Sequence, residues 1–316
     1  MSRETLRRIR SAWLLRQPFQ PGDPEHDHLF ALAEIAERGN EVRLKVPAWV
    51  PTLALNAEVA QRYAAGVPIS ERFFAGYGSP GLLSVSAGLF LWEPGCSEYP
   101  RGRMLLLERD ADAPIYPGHL TEPAGRMGEL PHLTIEEEMN QELLLVASGP
   151  DPVTGAWCQR PLLLATSYET GLDPSAIARK RAQVAERAGD LRAELIDAEK
   201  CLERDPLVVS LAPRAADAEH HRTVVVTIEG AEVTRFQALV FVQPELRCVE
   251  IRRSGELVLP AWVERLTAID GEAFGRRVAR LSLEALGQAQ SCLTPSIGAY
   301  RRLHTRPVLR VVTSAS

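Results

Sequence analysis

The sequence predicts an α+β fold built on a mixed β-sheet, and three observations carry that expectation. Short apolar, β-prone runs recur from Gly81 onward. Amphipathic helical stretches interrupt them at irregular positions, without the strand-helix alternation that a doubly wound parallel sheet requires. The composition, 45% hydrophobic and 24% charged over 316 residues, is that of a chain with ample apolar surface to bury.

Taken in order, residues 1–80 read as an N-terminal extension. Helical patterns over Ser2 to Leu15 and Leu29 to Arg38 are separated and followed by Pro21, Pro24, Pro47 and Pro51. The pattern changes at Gly81. Leu82–Trp92 is apolar and β-prone, and Arg103–Glu108 is a second strand whose Leu105 to Leu107 form the continuous run of a strand buried on both faces. A Gly/Pro-rich loop spans Pro114 to Pro131. A helix is expected from about Leu133 to Val146, with Ile135, Met139, Leu143 and Val146 marking its buried side. Arg160–Ser167 reads as a strand.

Asp173-Pro174 then opens a helical insertion over about 170–205, Asp as N-cap and Pro at the first helical position. Ile177, Val184, Ala188, Leu191, Leu195, Ala198 and Leu202 form a heptad-like seam along it. The seam suits an amphipathic helix lying on its own domain, or a homodimer through residues 175–204. Strands are expected at Leu207–Leu211, Thr223–Ile228, Phe236–Val242 and Arg247–Arg252. Trp262 to Leu266 and Glu272–Leu286 read as helical, and Val308–Val312 as a final strand. The extension and the insertion therefore frame a core over 81–316.

Several function classes are excluded at this level. The net charge of −5 and the scattered arginines give no basic face, so no nucleic-acid partner is expected. No apolar run approaches the roughly 18 residues of a membrane helix, and the N-terminus lacks the apolar stretch of a secretory signal. Five cysteines, odd in number and without a CxxC pair, read as reduced thiols, so a cytoplasmic location is expected.

The chemistry-bearing segment is Tyr116–Leu145, a glycine turn leading into a helix rich in carboxylates. Glu136, Glu137, Glu138 and Glu142 follow Glu129 of the loop. Residues three and four apart share a helix face, so Glu138, Gln141 and Glu142 form one polar cluster. Stacked carboxylates repel, and a hard divalent cation is the counter-charge that suits them best.

This segment resembles the Nudix box, G-x5-E-x7-R-E-U-x-E-E-x-G-U, where U is aliphatic. With Glu129 on the first motif glutamate, Glu137 and Glu138 fall on the R-E pair and Met139 on the aliphatic position. Gln141 and Glu142 then occupy the E-E pair, while Leu144 and Leu145 close the box. The lead-in strand RMLLLER and Pro123-Ala124-Gly125, in place of P-G-G, resemble the family as well. The copy departs from the pattern at Glu137, Gln141 and Leu144, and only three residues separate Gly125 from Glu129. A second register, with Thr134 as N-cap and Gln141-Glu142 on the R-E pair, puts Leu145 and Val146 where metal ligands belong.

The resemblance implies a Nudix-like mixed sheet sandwiched between helices, and a metal-dependent hydrolase of a nucleoside diphosphate linked to another group. It implies Mg²⁺ or Mn²⁺ held by Glu138 and Glu142, the expected catalytic residues, with Glu129 and the weaker oxygen ligand Gln141 in support. Arg126, with Gly125 and His119, is the candidate for holding a substrate phosphate, because a guanidinium matches that geometry. Arg126 equally suits ion pairing with the glutamates. A box that has decayed to serve only binding of a nucleotide or a protein partner is the alternative.

Other signals read as structural. His26-Asp27-His28 lacks a third ligand, and His220-His221 sits in a polar loop. His132 flanks the box as His119 does. Gly76-Tyr77-Gly78 has no Gly-Lys-Ser/Thr behind it, as a phosphate-binding loop needs.

Overall fold

The computed structural model describes residue 8 and residues 28–32, 34–46, 48–51, 61–67, 81–91, 103–111, 113, 115–127, 130–166, 174–186, 200–201, 204–212, 218–228, 230–243, 248–269 and 277–297. The fold is mixed α and β, and more strand-rich than the sequence reading expects. Sixteen strands lie in one hydrogen-bonded sheet system among the described residues. They are β1 (His28–Leu32), β2 (Glu34–Arg38), β3 (Glu41–Val46), β4 (Ala48–Pro51), β5 (Gly81–Leu91), β6 (Arg103–Glu108), β7 (Leu120–Thr121), β8 (Ala124–Arg126), β9 (Leu144–Pro150), β10 (Trp157–Thr166), β11 (Leu207–Ala212), β12 (Arg222–Ile228), β13 (Ala231–Gln243), β14 (Cys248–Leu257), β15 (Arg265–Ile269) and β16 (Val278–Ser282). The helices that matter below, among the described residues, are α1 (Pro131–Glu142), α2 (Pro174–Glu186) and the short α3 (Leu283–Gln288). No helix among the described residues is long and apolar enough to cross a membrane.

The centre of the sheet is the parallel pair β5–β14, in register from Cys248↔Leu82 to Glu256↔Phe90. On its far side β14 meets β13 and then β11, both antiparallel. On its far side β5 meets β8 at one end and β6 at the other. Alternation along β5 sorts its side chains. Leu83, Val85, Ala87, Leu89 and Leu91 join a core cluster that also takes Leu133, Ile135 and Met139 of α1, so this is the helix face. Phe90, with Met104 and Leu106 of β6, Leu239 of β13 and Leu286 of α3, forms a second cluster on the opposite face.

Four expectations are corrected. Leu29–Arg38 is not helical but forms β1 and β2, because Gly39 (φ +60°) and Asn40 make a tight turn that returns the chain as β3. The alternation of Glu-Val-Arg-Leu-Lys-Val then buries Val42, Leu44 and Val46, and β3 pairs in parallel with β12. The last residues of the expected 133–146 helix, Leu144 to Val146, instead begin β9, since the apolar run from Leu144 gains more by pairing with β10 and β15 on both edges. Trp262 to Leu266 is a turn leading into β15. Within Glu272–Leu286, Val278–Ser282 is β16, paired to β6, and Leu283 begins α3 with Ser282 as N-cap donating no bond but accepting one from Ala285 N–H. The strands expected at 82–92, 103–108, 160–167, 207–211, 223–228, 236–242 and 247–252 are present, with β5, β6, β10, β11, β12, β13 and β14 overlapping them. Ser2 to Leu15, apart from Arg8, and Val308–Val312 lie outside the described residues.

α2 begins at Pro174, as expected. Val184 of its seam is buried with Leu144, Val146, Cys201 and Ile269, so this part of the stripe rests on the protein's own sheet. The seam positions from Ala188 to Ala198, and Leu202, lie outside the described residues, and with them most of the expected dimer surface.

Candidate functional site

α1 starts on Pro131 at N1, where a missing N–H costs nothing. Leu130 is the N-cap residue and supplies no side-chain cap; Thr134 lies within the first turns and donates its hydroxyl to Leu130 O at 3.3 Å. At the other end Lys180 of α2, itself buried, donates Nζ to Asn140 O (3.2 Å) and Leu143 O (2.9 Å). A cation on the last carbonyls of a helix satisfies orphan acceptors and opposes the dipole. Asn140 ties the helix to the sheet: its Nδ2 donates to Leu164 O at 2.8 Å and its Oδ1 accepts from Leu164 N at 2.9 Å. It occupies the edge of β10 that β9 has left beyond Pro161.

Helical periodicity divides the glutamates into two rows. Glu138 and Glu142 face β8. Glu142 Oε2 accepts the Ala124 N–H at 3.1 Å, a donor left over because β8 pairs only with β5. Glu138 lies directly over Gly125, so close that a Cβ there would overlap its carboxylate. Glu137 and Gln141 form the neighbouring exposed row, with Gln141 Nε2 donating to Glu137 Oε1 at 3.1 Å. Glu138, Gln141 and Glu142 each carry a further polar or electrostatic interaction. Glu129 lies outside the described residues. Among the described residues no three His, Cys, Asp or Glu side chains gather as a metal-binding group.

The expected phosphate-binding residues are dispersed. Gly125 is the floor under Glu138. Its neighbour Arg126 points to the opposite face, because successive side chains alternate along a strand. There it shares a row with Ser84. Arg126 Nη1 is buried without a hydrogen-bond partner among the described residues. Its proton is held less tightly than usual, chiefly through burial, with the Arg109 charge adding to the effect and Cys248 opposing it. His119 sits in the β6–β7 hairpin loop, with Nδ1 3.0 Å from Pro117 O and its ring edge-on to Tyr116. Its backbone carbonyl accepts the Arg109 N–H at 2.9 Å.

The structure also assembles a polar cluster that the sequence reading passes over. Arg252 of β14, fully buried, places Nη2 2.5 Å from Glu122 Oε2 and 3.6 Å from Glu250 Oε1. Its Nη1 donates to Ser296 O at 3.2 Å, and its guanidinium lies 4.8 Å from the Phe241 ring centre. Ser86 donates to Glu250 at 2.7 Å. Gly88 leaves the room for Glu122, whose Oε1 would be 3.1 Å from a Cβ there. Burial pushes the Glu122 carboxyl up to about 7, with Arg252 pulling it down and Glu250 pushing it further up. Beside the cluster, burial raises the Cys248 thiol to about 11, so it stays protonated at neutral pH.

The available signal was spacing: Ser84, Ser86 and Gly88 on β5, and Glu250, Arg252 and Ser254 on β14, each fall on alternate positions and hence on one face. No protein-family model matches the chain, and no curated protein is found to resemble it.

Proposed function

We propose that this is a Nudix-like protein whose box has given up hydrolysis and serves to bind a nucleotide-type ligand. The observation that carries this reading is the Glu142–Ala124 hydrogen bond. Together with Glu138 packed on Gly125 and Gln141 bonded to Glu137, it commits the carboxylate cluster to holding α1 on the sheet. The ligand class rests on the resemblance of the box alone. Glu138 and Glu142 stand in one row with Gln141 in the neighbouring one, Glu129 lies outside the described residues, and we derive no hydrolytic step from them.

The hydrolase remains the second reading, favoured by the placing of Glu138 and Glu142 in that single row. Mg²⁺ or Mn²⁺ bound there would supply polarisation of a diphosphate. One experiment separates the two. The protein is incubated with millimolar Mg²⁺ or Mn²⁺ and a panel of nucleoside diphosphate derivatives, with both phosphate release and thermal stabilisation recorded. Binding without release is the expected result. Release that Glu142→Gln abolishes would establish the hydrolase, and neither binding nor release would remove both readings.

A further inference from the structure

Residues 289–297, which follow α3, close over the buried cluster of Glu122, Glu250 and Arg252. Two kinds of contact hold them there. Leu293 and Ile297 join Phe90, Met104 and Leu106 in the second core cluster. The polar contacts are three. The Thr294 N–H donates to Leu120 O at 3.0 Å, the Thr294 hydroxyl donates to Thr121 Oγ1 at 3.4 Å, and Ser296 O accepts from Arg252 Nη1 at 3.2 Å. The segment therefore rests on β7, which ends one residue before Glu122, and on the arginine that pairs with Glu122.

Closed, this arrangement suits Glu122 as an acid better than as an anion. A Cβ on Gly88 would meet Glu122 Oε1, Met104 Cε and Ser254 Cα, so Oε1 faces backbone and a methyl group. It is buried and has no hydrogen-bond partner among the described residues. Arg252 is shared: it also serves Ser296 O, Glu250 and further partners. A buried acceptor with too few donors is unfavourable, and more so when it carries charge. Burial accordingly pushes the carboxyl up to about 7, against the pull of Arg252 and with the push of Glu250. Those two are the charged groups acting on it among the described residues. The neighbouring strands add Ser86, Gly88, Met104 and Phe241, and residues 293–297 carry no titratable side chain; Glu284 and Cys292 are exposed.

We propose that residues 289–297 form a proton-operated cover on the sheet: with Glu122 protonated they stay closed, and loss of that proton opens them. Opening returns water to the carboxylate, which the closed state denies it. It uncovers Arg252 and the hydroxyls of Ser86 and Ser254 on the face opposite α1. The device is independent of the carboxylate row on α1 and of either reading of the box.

Amide hydrogen exchange of the full chain, read by NMR from pH 5 to pH 8 and corrected for the intrinsic rate at each pH, tests it. The Thr294 and Ile297 amides, bonded to Leu120 O and Thr294 O, report the cover. Amides of the β12–β13 pair report global unfolding. The cover amides are expected to be less protected than β12–β13 throughout. Their protection should fall by up to about seventyfold between pH 5 and pH 8, the limit for a carboxyl moving between 7 closed and 4.5 open. Glu122→Gln should abolish the fall. Glu250→Gln should make it smaller and end it at lower pH, because the group that pushes Glu122 up is gone. Protection of the cover that does not change with pH, cover amides that exchange only with β12–β13, or an undiminished fall in Glu122→Gln each overturns the proposal. Should Glu122→Gln fail to fold, an undiminished fall in Glu250→Gln overturns it instead.

Discussion

The two faces of the β5–β14 pair are held by different forces. On the helix face Val85, Ile251, Leu133, Ile135 and Met139 meet as apolar surfaces, and each fully buried side chain contributes roughly 1.5–3 kcal/mol. On the other face the same two strands present Ser86, Glu250 and Arg252, closed over by Glu122 and by the turn carrying Ser296. The contrast teaches that around Glu250–Arg252 the sheet is steadied by shape on one side and by charge balance on the other, while towards Phe90 the second face returns to apolar packing. A substitution on the first face costs in proportion to volume. A substitution on the second costs according to which charge it strands.

The largest expected effect follows from that rule. Arg252→Met keeps most of the volume and leaves Glu122 and Glu250 buried without their cation. Breaking such a pair from one side costs about 3–5 kcal/mol. Urea denaturation should show a loss of that size. Adding Glu122→Gln and Glu250→Gln should recover most of it, because the penalty lies in the stranded charge. A loss below about 1 kcal/mol for Arg252→Met alone would contradict a charge-organised face.

Glu122 gives the next effect, and its sign is opposite to that of an ordinary salt-bridged acid. Its carboxyl is raised from 4.5 to about 7, chiefly by burial. Between those values the folded state binds the proton more tightly than the unfolded chain does. Stability from this group is therefore greatest below about 4.5 and falls as pH rises, the full cost being reached above about 7. The change is up to about 3 kcal/mol. Comparing wild type with Glu122→Gln at pH 5 and pH 8 isolates it, since other carboxylates titrate alike in both. Parallel pH profiles would show that Glu122 ionises normally.

The same contrast explains what could be read from the sequence. Leu105 to Leu107 and Thr223–Ile228 announce strands because apolar runs of that kind have few other uses. The helix of the carboxylate segment was legible from Ile135 and Met139, but its end was not. Leu143, Leu144, Leu145 and Val146 continue the apolar pattern, and only pairing with distant β10 and β15 turns the last three into strand β9. The fate of Arg126 was equally hidden. A three-residue strand carries too little pattern to show that Gly125 and Arg126 face opposite ways, yet that alternation separates the arginine from Glu138 and Glu142. Glu250 and Arg252 would sit in water on most strands. Their burial depends on α3 and residues 293–297, which no local pattern connects to β14.

The smallest effect tests the helix face where it bears on function. Gly125 has no positive φ, so Ala is compatible with its backbone, and the cost of Gly125→Ala comes from contact alone. The new Cβ would overlap Glu138 Cγ, Cδ and Oε1, all in the movable part of a side chain. Overpacking of this kind costs about 1–3 kcal/mol when the neighbour cannot move and much less when it can. If Glu138 is committed to β8, Gly125→Ala should destabilise by about 1 kcal/mol or more. Adding Glu138→Ala should then return most of the loss, a coupling that a double-mutant cycle reads directly. If Gly125→Ala is neutral and the cycle shows no coupling, Glu138 swings clear of β8. The carboxylate row would then be available to a cation, and the hydrolase reading would gain what the binding reading loses.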